Sequence, residues 1–226
     1  MIDAATDLIT HRRRELEADR ALLVAVSGID GSGKSHVTEA LAERLMRDGQ
    51  RVAAIGIDFW QHPQSIRLGK PPSGAHFYAH AFRWEELFCG LVQPLVRDRS
   101  IDVMVNAIRT DVDRCFPRQY RFENVDVVVL EGIFLFKREF ALRYDLRLWI
   151  ECSFQTALAR AHVRNQEGQS ADALERDYRS IYFPAQRLHL ERDDPRGRAD
   201  LVIDNELGGY NESDSLGLRC FAEASS

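Results

Sequence analysis

Three kinds of residue in this chain are typed and spaced for phosphate chemistry. The first is the run Gly28-Ile29-Asp30-Gly31-Ser32-Gly33-Lys34-Ser35, which fits G-x-x-x-x-G-K-[ST]. Glycines let the backbone curl so that successive N–H groups face one concavity. A following helix, starting near His36, adds the partial positive charge of its N-terminus. Lys34 then reaches outer phosphates and the Ser35 hydroxyl ligates Mg²⁺. The ligand expected on Gly28, Asp30, Gly31, Ser32, Gly33, Lys34, Ser35 and His36 is a nucleoside triphosphate. The second kind is a pair of acids that end apolar runs. Asp58 follows Arg51-Val-Ala-Ala-Ile-Gly-Ile57, and Glu131 ends Val125-Asp-Val-Val-Val-Leu130. Asp58 can take a proton from an attacking hydroxyl or hold the metal through water; the plainer role is capping local backbone. Glu131 reads as a metal carboxylate, because an acid closing an apolar strand needs a partner. The third kind is Arg160 and Arg164, on one helical face at i,i+4. They could clamp a transferring phosphoryl group bidentately or pair with acids on a surface helix.

These residues need strands and helices to bring them together. Apolar runs predict strands at 21–27, 51–57, 101–106, 125–132, 146–151 and 198–204. Helical periodicity predicts helices at 3–19, 36 to about 48, 83–97 and 154–164. A last helix, 171–191, should kink or split at Pro184. Residues 61–80 show no periodicity and read as a long loop where an acceptor would enter. Arg67, His76, Tyr78 and His80 are its candidate contacts. Residues 101–114 read as a small β-excursion. The alternation predicts an α/β fold, a three-layer sandwich around a mostly parallel central sheet. Ligands of such sheets bind beyond the carboxyl ends of the strands, which is where the loop and Asp58 fall.

Composition narrows the partners. The chain has 226 residues, 45% hydrophobic and 29% charged, which suits one domain with a real core. A net charge of −5 with arginines scattered among acids argues against nucleic acid as a main partner. No apolar run is long enough to span a membrane, and 1–20 lacks a signal-peptide core. Four cysteines without C-x-x-C spacing read as reduced thiols in a cytoplasmic protein. The expected organisation is an N-terminal helix at 1–20, one domain over 21–206 with a lid at about 160–176, and a tail at 207–226.

Several segments together resemble one family. They are Ser27–Ser35, Asp58-Phe59-Trp60, Leu130-Glu131-Gly132-Ile133, the Arg160/Arg164 pair and Ala199-Asp-Leu-Val-Ile-Asp204. Their order is similar to that in the uridine kinase-like branch of the phosphoribulokinase/uridine kinase superfamily. The resemblance implies a P-loop, nucleoside kinase-like fold with an arginine-bearing lid, using ATP and Mg²⁺ on a small-molecule hydroxyl acceptor. Asp58 would be the base, Ser35 and Glu131 would organise Mg²⁺, and Lys34, Arg160 and Arg164 would act on the phosphoryl group. Residues 77–87 resemble the family's acceptor stretch; the acceptor candidates are Asp58, Arg67, Tyr78, His80, Arg83 and Arg109. His80 stands where the family usually has an Asp for the ribose diol, and Arg83 where a second acid is common. A nucleoside is the best single acceptor; nicotinamide riboside, pantothenate, a sugar phosphate or a regulatory module without acceptor are the alternatives. No N-K-x-D element for guanine is present. A homo-oligomer is compatible with this reading.

Overall fold

A computed structural model describes residues 1–140, 142–164 and 170–207. Five parallel strands form its centre: β1 (Leu22–Gly28), β2 (Val52–Gly56), then β5 (Val127–Gly132), β6 (Leu146–Glu151) and β7 (Leu201–Asp204), in the order β2-β5-β1-β6-β7. The two strands between, β3 (Ile101–Arg109) and β4 (Arg114–Phe122), form a separate antiparallel hairpin. The expected excursion at 101–114 is therefore longer than read, with its second strand beyond the charged turn.

Strand alternation builds the three layers. Leu22, Val24, Val26, Val127 and Val129 face α1 (Ile2–Glu15) and α2 (Lys34–Arg47), meeting Ile9, Leu41 and Leu45. Leu23, Ala25, Val128 and Leu130 point the other way, into a larger core with Phe77, Phe88, Phe134 and Trp149. The first helix is shorter than the expected 3–19, because Leu16 turns extended. Its Ala5 and Ile9 are fully buried, so it is part of this layer.

Residues 61–80 depart from the loop reading. They hold α3 (Gln64–Arg67) and α4 (Gly74–His80), both too short for their periodicity to show; Ser73 caps α4 by accepting from the His76 N–H. Two prolines shape the next long helices. Pro94 follows a π-turn, Phe88–Val92, between α5 (Trp84–Leu87) and α6 (Gln93–Asp98). Pro184 follows another, Tyr178–Tyr182, between α8 (Ala171–Asp177) and α9 (Phe183–Asp193). Proline lacks the N–H and crowds the carbonyl four residues back, and a wider turn just before it removes both conflicts. The expected break at Pro184 is thus a widened turn within one helical run. The helix α7 (Phe154–Arg164) has its expected bounds, whereas 165–169 of the expected lid at about 160–176 and 208–226 of the expected tail lie outside the described residues. The last strand starts at Leu201 rather than 198, after a turn. Among the described residues no helix is long and apolar enough to cross a membrane. Cys89, Cys115 and Cys152 are unpaired thiols.

Candidate active site

The phosphate loop joins the carboxyl end of β1 to α2, as its sequence requires. Gly31 and Gly33 take φ of 77° and 87°, the left-handed region that other residues enter only with strain. Lys34 is almost buried, and its Nζ donates to the Ile29 carbonyl at 3.0 Å. Ser32 Oγ is buried and has no hydrogen-bond partner among the described residues. His36 is exposed on the first turn of α2.

Two neighbouring strands bring the acids in. β5 lies between β1 and β2. At its end Gly132 is packed so tightly that a Cβ there would stand 2.2 Å from Ile57, the residue before Asp58. That close approach sets the ends of β2 and β5 side by side. Ser27 Oγ fastens the same point by donating to the Gly132 carbonyl at 2.9 Å. Glu131 is 5% exposed, and Ser35 Oγ donates to its carboxylate at 3.4 Å. Burial pushes the Glu131 carboxyl up to about 7, with nearby Lys34 pulling it down and Asp58 adding to the rise. Asp58 opens to solvent on one side, but the protein around it still raises its carboxyl; Lys34 and Arg164 oppose that rise, and Asp30 adds to it. Gln61 Nε2 donates to Asp58 at 3.4 Å.

Helix α7 delivers its two arginines to different places. Arg164 Nη2 donates to Asp30 Oδ1 at 3.2 Å, close enough to Asp58 and Glu131 for its charge to act on both. Arg160 grips the loop's backbone: Nη1 donates to the Gly31 and Ser32 carbonyls at 3.4 and 3.3 Å, and Nη2 donates to the Asn205 carbonyl at 2.7 Å. Asp30, Lys34, Ser35, Asp58, Glu131 and Arg164 thus form one cluster at the carboxyl edge of the sheet.

The hydroxyl of Ser35 and the carboxylate of Glu131 are hard oxygen donors of the kind Mg²⁺ takes, and Mg²⁺ keeps most of its remaining sites for water and phosphate. A buried carboxyl held near 7 fits a bound cation, which would favour its charged form. The orphaned Ser32 hydroxyl and the left-handed glycines fit a phosphate cradle. Among the described residues no group of three His, Cys, Asp or Glu side chains gathers to hold a metal.

The acceptor candidates do not converge in this way. Arg67 is buried and donates to Asp113 and the His62 carbonyl, both at 3.2 Å. Tyr78 donates its hydroxyl to Asp193 at 2.5 Å. Arg83 binds Glu86 at 2.6 Å and the carbonyls of Asn106 at 2.6 Å, Phe59 at 3.2 Å and Gln61 at 3.3 Å, which ties the Asp58 turn to the hairpin. Arg109 pairs with Asp111 beside the hairpin turn. His80 is exposed, its ring 4.4 Å from that of His76. These five side chains are therefore directed to internal partners or to the surface. Sequence reading missed Tyr178, Gln186 and Asn205, which all touch the phosphate loop. Asn205 follows the recognised strand directly and could have been found; the other two sit in helical runs with no local signal.

The sequence model of the family described as methylmalonyl-CoA mutase-associated GTPase MeaB matches residues 3–70, the part that carries α1, β1, the phosphate loop, α2 and β2. Relatives match far more of the chain. The uridine kinase of Deinococcus deserti is 26% identical over 205 residues, covering 85% of this chain and 91% of its own. That of Mycoplasma genitalium is 25% identical over 192 residues, covering 82% and 85%. The solved structure of a possible uridine kinase from Bacillus stearothermophilus superimposes with a TM-score of 0.70 over 90% of this chain and 97% of its own, at 20% identity. Uridine kinases similar to this chain over most of its length support reading it as a small-molecule kinase, uridine kinase-like and built on a P-loop, and the solved structure shares its fold.

Proposed function

We propose that this kinase transfers a phosphoryl group from ATP, with Mg²⁺, to a hydroxyl of a nucleoside. The observation that carries the reading is the single cluster of Lys34, Ser35, Asp58, Glu131 and Arg164. Mg²⁺–ATP, when bound, supplies the transferable phosphoryl group and the Lewis acid that polarises it. The loop N–H groups and Lys34 hold anionic oxygens, and Ser35 and Glu131 hold the cation. Asp58 orients the acceptor hydroxyl and takes its proton; its raised carboxyl makes it a better base than an ordinary Asp. Arg164 offsets the charge that develops during transfer. Arg160 supports the loop from behind through its carbonyls.

What supports a nucleoside is the similarity of most of the chain to proteins named uridine kinase. A phosphorylated or carboxylate acceptor would need free cations in the acceptor loop. Of the acceptor candidates, Arg67 and Arg83 already hold Asp113 and Glu86. The test is ADP release from ATP and Mg²⁺ in the presence of a panel of nucleosides, nicotinamide riboside, pantothenate and sugar phosphates. Stimulation by a nucleoside is the expected result. Stimulation by a sugar phosphate or pantothenate alone would overturn the acceptor assignment, and slow hydrolysis unaffected by any acceptor would favour a regulatory module.

A further inference from the structure

An acid in the third position of a phosphate loop is an electrostatic problem. Its carboxylate shares a short glycine-rich turn with a site built for phosphate oxygens, and like charges at such range repel. In this chain that acid is Asp30, and its side chain is tied down. The Gly31 N–H donates to Oδ1 at 3.0 Å. Arg164 Nη2 donates to the same oxygen at 3.2 Å. The Tyr178 hydroxyl donates to Oδ2. Arg164 Nη2 also reaches the Tyr178 oxygen at 3.4 Å, closing a triangle. The backbone N–H of Asp30 donates to the side chain of buried Gln186 at 3.0 Å.

The lid and the loop also press together beside this triangle. A Cβ on Gly31 would stand 2.5 Å from the Ala157 carbonyl oxygen, so α7 packs directly on loop backbone. Arg160, one turn from Arg164, holds the carbonyls of the next two loop residues. The loop is therefore the platform from which α7 projects, and Asp30 is its contact with the guanidinium in the cleft.

We infer that Asp30 is a positioning residue: it holds the Arg164 guanidinium at the place of phosphoryl transfer, with Tyr178 as the second arm of the same latch. This rests on the proposed role of Arg164 in transfer. Burial disfavours the Asp30 charge, but Arg164, Lys34 and Tyr178 outweigh it and hold the carboxyl at about 2, so the latch stays ionised throughout the working pH range. Arg164 in turn reduces the repulsion that the Asp30 carboxylate would impose on a bound triphosphate, because it matches that charge.

The test is a double-mutant cycle on the full chain with D30N, R164A and the pair. Y178F serves as a milder variant that keeps the loop sequence should D30N fold poorly. A displaced guanidinium costs on the order of 10–100-fold in rate, so D30N lowers kcat by that factor with little change in the KM for ATP, and Y178F lowers it less. In the R164A background D30N adds little further loss. A readout independent of turnover is amide hydrogen exchange in the nucleotide-free protein. D30N and Y178F should both speed exchange in 157–164 and leave β1 and β5 protected. If R164A leaves kcat unchanged, the role of Arg164 in transfer falls and the latch proposal with it. If R164A lowers kcat but D30N lowers it by the same factor in both backgrounds, Arg164 stands and the positioning role of Asp30 is wrong. Unchanged exchange in 157–164 would likewise contradict the latch.

Discussion

The two halves of this molecule use similar side chains in opposite ways. On the donor side Lys34, Asp58, Glu131 and Arg164 converge until each shifts the titration of another. On the acceptor side Arg67, Arg83 and Arg109 each sit against a nearby acid. Among the described residues no cation is ion-paired with the raised carboxyls of Asp58 and Glu131, whereas Arg164 is held by Asp30. The acceptor charges are balanced by the fold itself and build walls. The candidate working acids are those that no ion pair holds among the described residues, and the arginines that build walls are those that one does hold.

The sharpest way to break this comparison is Glu131→Gln. Loss of the cation's carboxylate should lower turnover at limiting Mg²⁺ by at least about 100-fold. The same change should stabilise the protein. Folding raises the Glu131 carboxyl from its usual 4.5 to about 7, so the folded state holds the proton more tightly than the unfolded chain. Its stability therefore falls as pH climbs between those values. At pH 8 without Mg²⁺ the ionised carboxylate costs about 3 kcal/mol, which the neutral amide avoids. Thermal unfolding at pH 5 and pH 8 would show the variant's advantage growing with pH; a less stable variant at pH 8 would mean that Glu131 is already compensated.

Arg83→Ala probes the other half. It removes a nearly buried guanidinium whose hydrogen bonds join the Asp58 turn to the hairpin. A loss of about 2–3 kcal/mol in denaturant unfolding is expected, with a moderate rise in acceptor KM and little change in ATP binding. A large loss of acceptor affinity in an undiminished fold would instead make Arg83 a ligand contact. The smallest effect belongs to Arg109→Ala. Its exposed pair with Asp111 is open to water and salt, so neither the melting temperature nor the acceptor KM should move measurably; a clear KM change would return it to the acceptor site.

The same contrast explains what could be read in advance. Lys34 and Ser35 were legible because a local spacing and one helix start determine where they point. Asp58 and Glu131 were legible because they end apolar runs, and strand ends in a parallel sheet share an edge. The i,i+4 spacing of Arg160 and Arg164 placed both on one helix face but could not say that one would grip backbone carbonyls and the other a carboxylate. Tyr178 and Gln186 meet Asp30 across 148 and 156 residues of chain, and no local pattern reports a contact of that kind. In the acceptor half the residue types were right for binding. Whether Arg83 faces a ligand or the Phe59 carbonyl depends on how the hairpin docks, which only the tertiary structure reveals. The two short helices within 61–80 were hidden for a related reason, since one or two turns are too few to show a period.

The most direct test of the account is phosphoryl transfer from labelled ATP to the stimulating acceptor, comparing the wild-type chain with Asp58→Asn. Product should form with the wild type, and the variant's kcat should fall by about 10²–10⁴-fold while its affinity for ATP stays within a factor of about two, because Asp58 lies on β2's side of the cleft and outside the phosphate loop. Near-normal transfer by the variant would contradict the assignment of Asp58 and, with it, the claim that the acids without an ion pair in the donor half are the working part of this kinase.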